Sequence, residues 1–149
     1  MGLSKISQSI GNYFMEDGRD DEYVILHPKT EHKFSLIFLH GMGDTASGFK
    51  DVFAHDSLVK LPEGCKVILP TASKKPVTVN GGTPMNSWFD IKSNGSLFNQ
   101  NMVKVDDYYF DEHFSQDEIT QSTDILLTLL KQEIKTLGSA KNVFIGGFS

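Results

Sequence analysis

Three short, nearly continuous apolar runs constrain the fold of this chain more than any other feature of its sequence. They lie at residues 34–39, 66–69 and 143–145 and consist mostly of Val, Ile, Leu and Phe. Runs of this kind are typical of strands that are buried on both faces of a parallel sheet. Parallel neighbours need long crossover connections, which are usually helices. The runs therefore predict an α/β fold, a mostly parallel sheet with flanking helices.

One helix is clearly marked between the second and third runs. Ser115 and Glu118 have the spacing of a capping box, and Gly138 has the position of a C-terminal stop. Apolar residues recur between them at helical spacings, namely Ile119, Leu126, Leu130, Ile134 and Leu137. A weaker pattern predicts a second helix from Ser47 to about Phe53. The long stretch 93–114 is predicted to be a loop.

The beginning of the chain has a different composition. Residues 1–20 are polar and contain glycine, and an acidic cluster follows at 20–22. This pattern predicts a flexible N-terminal tail over residues 1–20. Residues 23–26 are predicted to form an edge strand, because a β-branched run there is closed by His27 and Pro28.

Charge and composition exclude several classes of partner. The net charge is −5, and the 14 basic residues form no stripe, so neither nucleic acid nor an anionic membrane is expected as a partner. The only cysteine, Cys65, begins an apolar run and is predicted to be buried and unreactive. No apolar run reaches the roughly 20 residues of a membrane helix. A cytoplasmic protein without a transmembrane segment is the prediction.

A glycine-rich loop follows the first apolar run, in the stretch FLHGMGDTA. Gly41, Gly43 and Ala46 fit the spacing G-x-G-x-x-G/A of a dinucleotide-binding turn. Such a turn requires an acidic residue about 20 positions later, at the end of the next strand. Glu63 has roughly this separation but precedes the strand. The dinucleotide-binding domain is therefore the weaker interpretation, and the loop amides are left to bind another negative charge.

The third apolar run ends in GGFS, which is the front half of the nucleophile elbow G-x-S-x-G. In hydrolases with this elbow, the oxyanion is bound by two backbone N–H groups. One follows the nucleophile, and the other comes from a loop after an early strand. The loop at residues 40–44 has that position in the sequence, and Met42 is predicted to supply the second N–H.

Taken together, the segments FLHGMGDTASGF, ILPTASKKPVTVNGG, MNSWFDI and VFIGGFS resemble the acyl-protein thioesterase/carboxylesterase family of α/β-hydrolases, in the order of that family. The resemblance implies that residues 21–149 are the N-terminal portion of one α/β-hydrolase domain, truncated after the nucleophile strand. It implies Ser149 as nucleophile and Met42 as oxyanion-hole donor. Residues expected to shape the site are His40, Gly41, Gly43, Asp44, Trp88 and Asp90.

The same resemblance implies a function. The enzyme would cleave carboxylic esters or palmitoyl-type S-acyl thioesters on acylated proteins, small acyl esters or lysophospholipids, without a cofactor or metal. An apolar groove for the acyl chain is expected from Met85, Trp88, Phe98, Met102 and Phe114.

Two departures from the family accompany the resemblance. Phe49 stands where the family usually has tryptophan, and the loop 91–115 is longer than usual. The triad order Ser, Asp/Glu, His puts the acid and base after Ser149, so these 149 residues alone are expected to be inactive. A non-catalytic relative that acts as a binding module is the alternative, and the oligomeric state is left open.

Overall fold

The computed structural model describes residues 5–93 and 107–149, with the side chains at 5–7 and 107–109 excluded. Within these residues the strands and helices are β1 Lys5–Ile10, β2 Tyr13–Asp17, β3 Tyr23–Pro28, β4 Phe34–Leu39, α1 Ala46–Ala54, β5 Cys65–Pro70, β6 Lys74–Val77, β7 Thr83–Asn86, α2 Asp107–His113, α3 Gln116–Leu137 and β8 Val143–Gly147. Six strands form the main sheet in the order β1-β2-β3-β5-β4-β8, and β6 pairs with β7 in a separate hairpin.

The predicted α/β fold is confirmed. β4 pairs in parallel with both β5 and β8, while β1, β2 and β3 join the other side of β5 through antiparallel pairs. α1 packs against β3 and β5, and α3 packs against β4 and β8. The parallel part of the sheet therefore carries the two sequence motifs, because the glycine loop follows β4 and the GGFS segment ends β8.

The predicted N-terminal tail is wrong for residues 5–17, which form the hairpin β1–β2. Tyr13 and Met15 are buried at 6% and 5% exposure and belong to the core, whereas Phe14 is 44% exposed. This alternation is that of an antiparallel strand with one solvated face, which lowers the average hydrophobicity of the segment. For the same reason β3 is not an edge strand, since it lies between β2 and β5.

The predicted helix from Gln116 onwards is confirmed, and Gly138 ends it in the left-handed conformation with φ of 70°. The capping box is not formed. Ser115 is the N-cap residue, but its side chain makes no capping hydrogen bond. The Glu118 carboxylate instead accepts a hydrogen bond from the backbone N–H of Asp90. The predicted loop 93–114 contains α2, and Phe98 and Met102 lie outside the described residues.

Burial in the sheet follows the order of its strands. Cys65 on β5 is 3% exposed, as predicted, and burial raises the pKa of its thiol to about 11. β8 was predicted to be buried on both faces, but Phe144 and Ile145 are 52% and 49% exposed. β8 is the edge of the sheet in the described residues, so one of its sides has no neighbouring strand. No helix among those residues has the length and apolar character to span a membrane.

Candidate active site

The parallel register of β4 and β8 brings the two motif loops together. Leu39 pairs with Gly147, so Gly41 and Ser149 each lie two positions beyond the last pair. The Phe148 N–H continues the contact by donating to the Leu39 carbonyl at 3.0 Å. A Cβ atom placed on Gly41 would lie 3.2 Å from the Ser149 Cβ and 3.1 Å from the Phe148 carbonyl oxygen. Glycine at position 41 therefore permits the close approach of the two loops.

The backbone amide of Met42, in the glycine loop, is not used by the neighbouring residues of that loop. Gly43, with φ of 85°, donates its N–H to the Asn86 carbonyl at 2.8 Å. The Asp44 N–H donates to the Gly41 carbonyl at 3.1 Å. Between them, the Met42 N–H has no hydrogen-bond acceptor within the part of the chain that the structure describes. That amide remains able to bind an acceptor from outside the protein.

Ser149 has the backbone conformation of a strained turn. Its φ is 61°, in the left-handed region that residues other than glycine rarely adopt. The residue is exposed and lies two positions after the end of β8 at Gly147. A positive φ at an exposed serine just beyond a strand is one feature of a nucleophile elbow.

His40 is buried at 3% exposure, and both of its ring nitrogens have partners. Nε2 accepts a hydrogen bond from the Ala72 N–H at 2.9 Å, so the ring proton is on Nδ1, which donates to the Gly41 carbonyl at 2.7 Å. The imidazole therefore connects the glycine loop to the segment after β5. With both nitrogens engaged, it is a structural residue of the loop.

Trp88 supports the same loop from the other side. Its indole Nε1 donates to the His40 carbonyl at 2.8 Å, and the two rings pack with their centroids 5.1 Å apart. The carbonyl of Trp88 accepts a hydrogen bond from the Ser122 hydroxyl on α3. Trp88 thus connects α3 to the residue immediately before the glycine turn.

Asp90 forms hydrogen bonds with the segment after β6 and shows none to the glycine loop at residue 41. Its carboxylate accepts hydrogen bonds from the Thr78 N–H at 2.7 Å and from the Thr78 hydroxyl at 2.6 Å. Its carbonyl accepts from the Ser115 N–H at 3.1 Å. Asp90 therefore fixes the turn after β6 against the start of α3, at the periphery of the site.

Asp44 is held at the start of α1. Its carboxylate accepts a hydrogen bond from the Thr45 N–H at 2.8 Å, next to the helix N-terminus. A Cβ atom on Gly48 would lie 2.1 Å from the same carboxylate oxygen. The missing side chain at Gly48 therefore makes the space that Asp44 occupies.

A family model described as phospholipase/carboxylesterase matches residues 20–149. The chain belongs to this family. Its relatives include acyl-protein thioesterase 1 of Yarrowia lipolytica, which is 33% identical over 126 residues, covering 85% of this chain and 50% of the relative. Acyl-protein thioesterase 1 homolog 1 of Dictyostelium discoideum is 33% identical over 80% of this chain and 47% of its own length. The chain therefore spans about half the length of these curated relatives.

Solved structures agree with the phospholipase/carboxylesterase fold. Zea mays acyl-protein thioesterase 2 superposes with a TM-score of 0.54 at 24% identity, over 85% of this chain and 46% of that protein. Arabidopsis thaliana SOBER1 gives a TM-score of 0.55 at 25% identity, over 78% of this chain and 49% of that protein. The α/β-hydrolase fold predicted from the motifs is confirmed, and the coverage corresponds to its N-terminal half.

Several residues that support the candidate site were missed in the sequence. Asn86 binds the glycine loop at two points, since its carbonyl accepts from Gly43 and its side-chain amide donates to the Asp44 carbonyl at 3.0 Å. Glu118 and Ser122 hold the segment around Trp88 from α3. Asn86 stands inside the quoted segment MNSWFDI, which was the available signal. For Glu118 the sequence indicated only a role in helix capping, and for Ser122 it gave no signal.

The side chains expected to form an acyl groove separate into two places. Trp88 and Phe89 line a small apolar pocket of about 180 Å³ between the end of β4 and α3, together with Leu39, Ile119 and Leu126. Met85 instead lies at the hairpin, where the Asn80 amide contacts its sulfur and that of Met42. Phe114 packs on Phe89 with ring centroids 5.8 Å apart and does not itself line the pocket.

Proposed function

We propose that this protein is a serine hydrolase of acyl esters and S-acyl thioesters, with Ser149 as its nucleophile. The Ser149 hydroxyl oxygen attacks the acyl carbonyl carbon, and the carbonyl oxygen takes the negative charge of a tetrahedral intermediate. The supporting observation is the contact of Gly41 with Ser149, which brings the unused Met42 N–H to the loop beside the nucleophile.

The proposed role of Met42 is electrostatic. A fixed N–H beside the developing oxyanion stabilises the transition state without reorganisation, and removal of one such donor slows catalysis by about 10²–10³-fold. The His40 ring and the Asn86 carbonyl hold the amides on either side of Met42. These contacts support a preorganised loop. In the proposed mechanism the loop acts through its backbone N–H, so none of its side chains has to react.

The acid and base of the triad are proposed to lie in the sequence that follows Ser149. The chain spans about half the length of its relatives and contains the proposed nucleophile, and the order of the triad in this fold puts Asp or Glu and then His after that serine. The histidine would accept the Ser149 proton during attack and return it to the leaving group. His40 is unsuited to this role because Ala72 and Gly41 occupy both of its nitrogens.

The substrate class follows from the relatives and the local chemistry. Relatives that match this chain are named acyl-protein thioesterases, so we infer an acylated protein, with small acyl esters and lysophospholipids as further substrates. The pocket beside Leu39 and Trp88 is lined mainly by apolar side chains, as an acyl chain requires. A single buried cysteine supports a cytoplasmic location.

Labelling with a fluorophosphonate tests the proposal directly. The protein is expressed with the coding sequence that follows Ser149, and covalent labelling and thioester hydrolysis are measured. We expect labelling that Ser149→Ala abolishes. Met42→Pro, which removes the N–H, should slow labelling by about 10²–10³-fold, while Met42→Ala, which keeps it, should label at a rate near that of the wild type.

Melting temperatures verify that each variant is folded. Labelling that survives Ser149→Ala, or equal rates for folded Met42→Pro and Met42→Ala, would contradict the assigned roles. A folded, extended protein that never labels would favour the non-catalytic binding module. Protection from heat by NAD would favour the dinucleotide-binding domain, and we expect none.

A further inference from the structure

A second and larger cavity shares Trp88 and Ser122 with the small apolar pocket. Its volume is about 500 Å³, and its walls come from the turn before β3, the end of β5 and α3. Pro70, Ala72, Trp88 and Ile125 supply apolar surface, and Ile125 is 54% exposed although it lies on a packed helix. We call this cavity the Trp88 groove.

The Trp88 groove is joined to the candidate active site through one residue. Trp88 and Ala72, which line the groove, both hydrogen-bond to His40, through the indole Nε1 and the backbone N–H respectively. His40 directly precedes Gly41, which touches Ser149. A polypeptide whose acyl group reaches Ser149 would therefore have its neighbouring residues within reach of the groove.

The rim of the groove is negatively charged. Asp20, Asp21 and Glu22 contribute three carboxylates along one wall, and Lys74 contributes one ammonium group. The Asp21 carboxylate also accepts a hydrogen bond from the Ser47 hydroxyl at 2.7 Å, which holds it in place. Apolar walls beneath an acidic rim match a partner that has an apolar side chain next to a basic one.

We propose that the Trp88 groove binds a basic segment of the protein from which the acyl group is removed. A lysine or arginine of that segment pairs with the carboxylates of Asp20 and Glu22, and a neighbouring aliphatic side chain packs on Trp88 and Ile125. This inference rests on the proposed function for the identity of the partner. The complementarity of charge and apolar surface carries the choice of a basic peptide over an acidic or neutral one.

Tryptophan fluorescence tests the groove without any catalysis. Trp88 is the single tryptophan of the 149 residues, and it lies in the wall. The protein is titrated with an unacylated peptide that contains leucine flanked by lysines, and with the same peptide carrying glutamates in place of the lysines. If a longer form has other tryptophans, Trp88→Phe provides the signal to subtract. We expect a saturable change with the lysine peptide, weakened by salt, and no saturation with the glutamate peptide.

Three variants test the charges. Asp20→Asn with Glu22→Gln should raise the Kd for the lysine peptide by about fivefold, as expected for two exposed ion pairs. The control pair Asp51→Asn with Glu63→Gln removes the same charge from exposed positions outside the groove and should leave the Kd unchanged. Lys74→Gln removes a positive charge from the groove and should lower the Kd for the lysine peptide. This variant tests the proposal even if the Asp20→Asn and Glu22→Gln pair does not fold.

Equal binding of the two peptides, an absent fluorescence change, or a Kd that the groove and control pairs alter equally would overturn the proposal. Failure here is distinct from failure of the proposed function, because labelling of Ser149 by a small fluorophosphonate does not depend on the groove.

Discussion

Ser35 and Glu133 are 98 residues apart in the sequence, and the Ser35 hydroxyl donates a hydrogen bond to the Glu133 carboxylate at 2.6 Å. Both side chains are buried, Ser35 on β4 and Glu133 on α3. The second carboxylate oxygen accepts from Lys66 of β5 at 2.8 Å. The Glu133 carboxylate therefore connects α3 to the parallel strands β4 and β5. These contacts lie near the amino ends of the two strands, away from the candidate active site.

We expect Glu133→Gln to lower the free energy of unfolding by about 2–4 kcal/mol. The amide still accepts a hydrogen bond from Ser35, but it leaves the Lys66 ammonium, whose side chain is 16% exposed, without its counter-charge. Urea unfolding followed by circular dichroism measures the change. Glu63→Gln at an exposed position is the control and should cost under about 0.5 kcal/mol. An unchanged midpoint for Glu133→Gln would contradict the role of the pair.

The same cluster predicts a loss of stability at mildly acidic pH. Burial, and secondly the Lys66 charge, lower the pKa of His32 below its usual 6.5, against the opposing influence of Glu133. The ring Nε2 lies 2.8 Å from the Ser35 hydroxyl. As the pH falls, His32 is therefore protonated in the unfolded chain before it is protonated in the folded protein. The stability contributed by neutral His32 is complete above the unfolded pKa and is lost as pH falls from there through the lower folded pKa.

Urea unfolding at pH 8, 7, 6 and 5 measures this dependence. We expect His32→Gln, which does not titrate, to flatten the decline of the unfolding free energy between pH 7 and 5. His55→Gln, at an exposed position, should retain the wild-type slope. Identical slopes for wild type and His32→Gln would show that His32 does not carry the effect.

Alanine at the two glycines of the loop should have different effects. At Gly41 the new Cβ would lie about 3 Å from the Ser149 loop, so Gly41→Ala should displace the nucleophile and slow fluorophosphonate labelling by about a hundredfold. At Gly43 no atom lies within 4 Å, but φ is 85°, so Gly43→Ala should cost about 1–2 kcal/mol of stability. Labelling rates and urea midpoints of the extended protein separate the two. A folded Gly41→Ala protein that labels normally would argue against the contact.

The packing of Asp44 on Gly48 should appear as coupling in a double-mutant cycle. Alanine favours a helix over glycine by up to about 1 kcal/mol, but its Cβ at position 48 would displace the Asp44 carboxylate. We expect Gly48→Ala to stabilise α1 only in the Asp44→Ala background, with a coupling of about 1–2 kcal/mol. Asp51→Asn is the uncoupled control background. Additive changes in unfolding free energy would refute the contact.

The sequence predicted what depends on local pattern. Hydrophobic patterning predicted the three strand runs and the helix that ends at Gly138. The order of the motifs predicted that the loop at Met42 would approach Ser149. Tyr13 and Met15 were missed because alternating burial in an antiparallel hairpin looks polar on average. Glu133 was missed because a carboxylate within an apolar helical stripe gives no sign of its partners on other elements. The position of Glu118 depended on Asp90, which is distant in sequence.

Gly41 and Ser149 each lie two residues beyond the last pair of β4 and β8. This equal spacing limits where insertions and deletions can occur in the chain. Because Leu39 and Gly147 are aligned, inserting or deleting one residue at the end of either strand would turn the next side chain to the opposite side of the sheet. Length changes are tolerable in the surface connections, but at these two strand ends a change in one must be matched in the other. The relative length of these two strand ends is therefore the constraint that keeps the loops at Gly41 and Ser149 in contact.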